Sequence, residues 1–303
     1  MFRRAIAVVS ACLFTVGASS PVPAVPGRAT AASGPPGCAP APSRWAARSV
    51  APRHAPAPSP EPAGGRRGPN PLRPALPITV PTWVHVLTDG RLGAPDAAVR
   101  AQIATLNAAY SGGLGGADTG IRFRLDGVTR TVSATWFREP VTHERVIKRM
   151  RRGGPETLNL YLAQLGELVL GYSTYPHGYA KEPALDGVVV DWRSLPGGAM
   201  RSFDRGYTGV HEIGHWLGLL HTFEKGCEPP GDGVADTEPE GQPTEGCPLV
   251  KDTCKGGGPD PIHNFMDYSD DRCMSGFTVG QAVRMQEMWA VYRGRGANTT
   301  LDG

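Results

Sequence analysis

A chain of 303 residues allows one or two domains, but 40 Gly and 30 Pro are too many for a chain that is packed throughout, so part of it is expected to be non-globular. The formal charge of +3 is unevenly spread: residues 1 to 76 hold 9 Lys+Arg and 1 Asp+Glu, which leaves 22 against 27 for residues 77 to 303. The basic excess lies in a segment expected to be removed, and nothing in the acidic remainder argues for nucleic-acid binding.

At the N-terminus, Arg3 and Arg4 precede the apolar run Ala5 to Val16, and small residues follow around Gly17-Ala18 and again at Ala29-Thr30-Ala31. These are the three parts of a secretory signal, assigned to residues 1–31 with cleavage between 18 and 32. The run is too short to span a membrane and no later stretch is long enough, so the mature chain is expected to be secreted, without a membrane partner. Val9-Ser10-Ala11-Cys12 weakly resembles a lipoprotein cleavage box, but the apolar run continues past Cys12. Residues 32–76 are rich in Pro, Ala and Arg and have no periodic apolar pattern. Such a segment cannot bury enough surface to offset its ordering entropy and reads as a disordered prosegment or linker, with Arg66-Arg67 as an exposed processing point.

Ordered structure is expected from Pro77 to about residue 295, with residues 296–303 as a tail. Ile78 to Leu87 is strand-like, and a helix is predicted from about Pro95, with Val99, Ile103, Leu106 and Tyr110 at helical spacing. Ile121, Phe123 and Leu125 alternate with polar residues, as do Leu158, Leu160 and Leu162, and both runs read as half-buried strands. His143 to Arg152 reads as a short helix with a solvated basic face. Leu168 to Pro176 and Val188 to Asp191 are two further strand candidates, so an α+β architecture, a mixed sheet with helices packed on it, is the economical reading.

The most informative stretch is His211 to His221, HEIGHWLGLLH. On a helix His211 and His215 project from one face, four residues apart, and can reach a single ion with Glu212 beside them. Gly218 can take a left-handed conformation, end the helix and return a third imidazole, His221, from outside it. Val210, Ile213, Leu217 and Leu220 form an apolar stripe for the core. Three neutral nitrogen donors and a carboxylate beside an open position suit a catalytic zinc site, whereas the plainer alternative is a buried amphipathic helix with incidental histidines. H-E-x-x-H-x-x-G-x-x-H is the extended zinc motif of the metzincins, whose Met-turn is matched by Asn264-Phe265-Met266-Asp267-Tyr268. Cys38, alone in the prosegment, is a candidate latency switch because a soft sulfur suits zinc; an incidental thiol is the alternative.

Residues 222 to 277 are rich in Gly, Pro and acidic residues and carry Cys227, Cys247, Cys254 and Cys273. In a secreted protein an even set reads as two disulfides, with three pairings open; the competing reading, a second metal cluster, lacks a paired C-x-x-C spacing. The last predicted helix is capped by Thr278 and Gln281, with Val279, Ala282, Met285, Trp289 and Tyr292 on its buried side. Asn298-Thr299-Thr300 matches a glycosylation acceptor.

HEIGHWLGLLHTFEKGC, DGVADTEPE, NFMDY and FTVGQAVRM, together with TWVHVL, AQIATLNAAY and LNLYLAQL-GELVLGYSTYP, resemble the pappalysin family of metzincins, in particular its compact ulilysin-like or cytophagalysin-like secreted members. The resemblance covers roughly Pro77 to Arg293. It implies a metzincin-type zincin: a mixed twisted sheet with two long helices in an N-terminal subdomain, and a loop-rich, disulfide-bonded C-terminal subdomain ending in a helix. It further implies that the strand near Leu168 to Tyr175 is the sheet edge on which an extended peptide adds. By the same resemblance Cys227 pairs with Cys254 and Cys247 with Cys273. Asp232, Asp236, Thr237 and Glu238 become candidate calcium ligands, with a solvated acidic loop as the alternative. The implied activity is that of a monomeric zinc endopeptidase acting on polypeptides outside the cell. Zinc is held by His211, His215 and His221, Glu212 is the general base, Met266 the apolar floor and Tyr268 an oxyanion donor. A catalytically inactive binding module is the alternative function.

Overall fold

The protein's computed structural model describes residues 77–166 and 169–294. The signal and prosegment assignments, Cys38, Arg66-Arg67 and Asn298 lie outside those residues.

Five strands, β1 (Ile78–Thr88), β2 (Ile121–Val132), β3 (Leu158–Ala163), β4 (Gly171–Ser173) and β5 (Val188–Asp191), form one sheet in the order β2-β1-β3-β5-β4. The first four in that order are parallel, and β4 closes the edge antiparallel to β5. Helix α1 (Asp96–Tyr110) makes the crossover between β1 and β2 and buries Val99, Ile103 and Leu106, the positions its periodicity predicts. Two short helices, α2 (Ala134–Arg138) and α3 (Glu144–Ile147), follow β2.

The alternation along β1 sends Val80, Val84 and Val86 into the main core, with α1, Val210, Ile213, Trp216 and Met266, and sends Leu87 into a smaller core with Phe137 and Ile147. The sheet is thus covered on both faces. That corrects the half-buried reading of Leu158 to Leu162: all six residues of β3 are buried, because β3 lies between β1 and β5 with a core on either side. The edge strand is also shorter than predicted, Gly171–Ser173 in place of Leu168 to Pro176.

Helix α4 (Tyr207–Trp216) carries the motif and packs against β4, β5 and α1. All ten of its residues are buried, so its metal-facing side is enclosed as well as its core side. The loop-rich segment that follows is held by disulfides Cys227–Cys254 and Cys247–Cys273, with Cα–Cα distances of 5.5 and 5.3 Å. The chain then enters α5 (Val279–Tyr292) through the predicted capping box: Thr278 Oγ1 accepts from Gln281 N and Gln281 Oε1 accepts from Thr278 N. Val279 is a correction. It is 65% exposed, because the first turn of α5 points outward and burial begins at Gln281 and Ala282.

Candidate active site

The end of α4 decides where the third imidazole goes. Gly218 has φ +98, Leu219 N donates to Gly214 O at 3.0 Å and Gly218 N to His215 O at 2.9 Å, the paired reverse bonds that terminate a helix on a left-handed residue. A Cβ at Gly218 would lie 2.5 Å from Met288 Cγ on α5, so conformation and packing both require glycine there. The reversed chain is tied to the helix a second time, since His215 Nδ1 lies 2.8 Å from Leu219 O.

His211, His215 and His221 meet as expected. His215 Nε2 lies 3.1 Å from His211 Nε2 and 3.0 Å from His221 Nε2. His211 Nδ1 lies 2.7 Å from Phe265 O. A carbonyl only accepts, so each of these two Nδ1 atoms carries the proton, and the Nε2 atoms of His211 and His215 are bare lone pairs that cannot hydrogen-bond to each other. Burial pushes His211 down to about 4 and His215 to about 3, and it lowers His221 as well, so the rings are neutral donors at physiological pH. The lone pairs of His211 and His215, converging in a buried pocket without a proton between them, call for a cation, and His221 Nε2 stands where it can join them. Separations near 3 Å also fit nitrogen ligands about 2.0 to 2.1 Å from a shared tetrahedral zinc. Among the described residues this is the group of three or more His, Cys, Asp or Glu side chains whose ligand atoms converge.

Glu212 is fully buried and lies under the edge strand, where a Cβ on Gly171 would stand 2.7 Å from its Cγ. The Met-turn closes the site from below. Phe265 O receives His211, Met266 O accepts from Thr222 N at 3.3 Å, and the buried Met266 sets its Sδ where a Cβ on Gly214 would be 2.5 Å away. Met266 is therefore a packing residue. Tyr268 Oη lies 3.2 Å from His221 Nε2, and Asp267 anchors the turn by accepting from Tyr268 N at 2.7 Å and Thr244 N at 2.9 Å. An open cleft adjoins the site, lined by Leu170, Thr208, His211, Glu212, Tyr268 and Asp271 among others.

The calcium candidates accept hydrogen bonds from the protein itself. Asp236 accepts from Thr278 Oγ1 at 2.7 Å and Gly280 N at 2.8 Å, which caps α5, and Glu238 accepts from Gly258 N at 3.0 Å. Asp232 accepts from Val234 N at 3.0 Å, and its buried carboxyl faces the Thr237 hydroxyl.

Sequence reading gave no role to Asn264, whose amide exchanges two hydrogen bonds with the Gln281 side chain at 2.9 and 3.0 Å and whose Oδ1 accepts from Met266 N. Its position in NFMDY was a signal, but its partner lies 17 residues on. Arg284 and Arg293 were also missed. From α5 and the residue after it, their Nε atoms each donate at 2.8 Å, to Gly218 O and Trp216 O at the end of α4.

The family model for pregnancy-associated plasma protein-A matches residues 169–290. "Extracellular metalloprotease 1" of Coccidioides posadasii is 42% identical over 226 residues, 72% of this chain and 79% of that protein. "Extracellular metalloprotease" of Uncinocarpus reesii is 42% identical over 228 residues, with the same coverage. Among solved structures, mature mirolysin of Tannerella forsythia in complex with a cleaved peptide is 29% identical. It aligns over 72% of this chain and 93% of its own with a TM-score of 0.63.

Proposed function

The chain belongs to the pappalysin family of metzincin metalloproteases, and from that premise we propose how its residues cut a peptide bond. It is an extracellular metalloprotease that acts on polypeptides. The observation that carries the finer reading is the convergence of three buried, neutral imidazole nitrogens, which favours zinc, held by His211, His215 and His221. Zinc, when bound there, supplies a Lewis acid that acidifies water and polarises a carbonyl.

Glu212 accepts the proton of the attacking water and delivers it to the leaving amine; its burial under Gly171 fixes the carboxylate at the cleft. Tyr268, whose hydroxyl already stands next to His221, donates to the developing oxyanion. The fixed Nδ1 partners, Phe265 O and Leu219 O, hold the imidazoles in the tautomer that leaves Nε2 available. β4, the terminal strand of the sheet, receives an extended substrate as a further strand, and the adjoining cavity takes a neighbouring side chain.

The same proposal treats residues 1–31 as an export signal, 32–76 as a removable prosegment with Cys38 as a latency switch, and 77–295 as the catalytic domain. The mature enzyme is taken as a monomer without nucleic-acid or membrane partner; no helix among the described residues is long and apolar enough to cross a membrane. Calcium binding rests on Asp232, since Asp236 and Glu238 are engaged elsewhere. No feature of the site favours an inactive binding module.

The test pairs two variants. Glu212→Gln is expected to keep stoichiometric zinc while hydrolysis falls by about 10² to 10⁴. His215→Ala loses metal and activity together. A Glu212→Gln enzyme with near-normal turnover would refute the assignment.

A further inference from the structure

Glu240 lies in the acidic run after α4, 19 residues beyond His221, and is fully buried. A buried carboxylate is disfavoured unless its lone pairs are well used, and here both oxygens are engaged. Oε2 accepts from Thr222 Oγ1 at 2.6 Å. Oε1 accepts from Thr244 Oγ1 at 3.0 Å and from Lys251 Nζ at 2.5 Å. Lys251 also binds Asp260 at 3.1 Å and the Gln242 carbonyl, so one ammonium is shared between two carboxyl groups.

The two arms of Glu240 end at the metal centre from different directions. Thr222 follows His221 directly and its backbone N donates to Met266 O. Thr244 donates its backbone N to Asp267 Oδ1, the same oxygen that accepts from Tyr268 N. Tyr268 Oη returns to within 3.2 Å of His221 Nε2. Glu240, Thr222, His221, Tyr268, Asp267 and Thr244 thus form a ring in which covalent and hydrogen-bond links run from His221 round to Tyr268, whose hydroxyl faces His221 Nε2 across the remaining gap. The ring spans two loop segments that have no regular secondary structure to fix their spacing.

We propose that Glu240 is a positioning residue for the metal centre, whose carboxylate sets the placement of the third imidazole, His221, relative to the Tyr268 hydroxyl. This rests on the metal reading of the three histidines. A carboxylate is required because three donors converge on it. Glutamine has one acceptor oxygen and would turn its NH₂ toward Thr222 or Lys251. The same ring gives Thr222 a role its neighbour's chemistry would not suggest.

The experiment measures zinc affinity by competition with a chromophoric chelator, and the visible absorption of the cobalt-substituted enzyme, on folded secreted protein after release of its prosegment. Parent, Glu240→Ala, Glu240→Gln and Thr222→Val are compared, with kcat and KM taken separately. Glu240→Ala is expected to weaken zinc binding about 10- to 100-fold, change the cobalt spectrum and lower kcat more than KM; Glu240→Gln falls between it and the parent. Thr222→Val keeps the carboxylate and cuts the arm to His221 alone, so it decides the matter if Glu240→Ala does not fold; about a tenfold loss of affinity is expected. A lowered melting temperature with parental affinity and cobalt spectrum in both Glu240→Ala and Thr222→Val would make the network merely structural and overturn the proposal. A parent enzyme that binds no zinc would instead overturn the metal reading on which it rests.

Discussion

Arg293 is the last residue before the final described glycine and is wholly buried, which is unusual for a guanidinium. Its Nε donates to Trp216 O at 2.8 Å, one terminal nitrogen donates to Pro155 O at 3.1 Å, and the two terminal nitrogens reach the Asp186 carboxylate at 3.2 and 3.1 Å. Its plane lies 3.6 Å from the Trp216 ring centroid. Arg293→Met keeps much of the apolar stem but strands the buried Asp186 charge, with Thr174 Oγ1 at 3.0 Å and Trp216 Nε1 at 3.2 Å still donating to it. Removing one partner of a buried pair costs about 3 to 5 kcal/mol, which for a domain of this size lowers the melting temperature by about 6 to 20 °C. Adding Asp186→Asn removes the stranded charge and is expected to restore part of the loss. Thermal melts of the parent, the single and the double variant, all zinc-loaded, provide the check. A single variant melting within about 2 °C of the parent would refute the claim that this pair fastens the C-terminal end of α4.

Gly171→Ala puts a methyl group where Glu212 Cγ is only 2.7 Å away, so kcat is expected to fall at least tenfold with zinc content unchanged, as read by steady-state kinetics and metal analysis. Tyr268→Phe keeps the metal and loses on the order of 1 to 4 kcal/mol of transition-state stabilisation, read from kcat/KM. Burial pushes Asp232 up to about 6, so the folded state holds a proton that the unfolded state has released between about pH 4 and 6, and stability falls as pH rises through that window. Asp232→Asn removes this loss: its melting temperature relative to the parent is expected to be higher at about pH 7.5 than at about pH 4. If Asp232 binds calcium, added calcium stabilises the parent at the higher pH and not the variant.

Several features were legible in the sequence because neighbours along the chain decide them. An i, i+4 pair of histidines faces one way on any helix, a glycine with a hydrophobic follower ends that helix wherever it packs, and Thr278 with Gln281 caps α5 using only residues of its own first turn. The family resemblance added the pairing of four cysteines, which spacing left open among three possibilities. Other features are set by partners far away in the chain. Gly214 weakens α4 by its own propensity, and its reason is Met266, 52 residues later, whose sulfur occupies the space of a side chain. β3 carries an alternating pattern yet is buried on both faces, because cores form on each side of the sheet. Glu240 reads as one more acid in a polar loop until the fold brings Thr222, Thr244 and Lys251 around it. The sequence alone determined the donor set and the chemistry it can perform, since those follow from residue type and local spacing. How the donors are held could be settled only by the tertiary structure, since burial, desolvation and hydrogen-bond partners depend on which distant segments pack together.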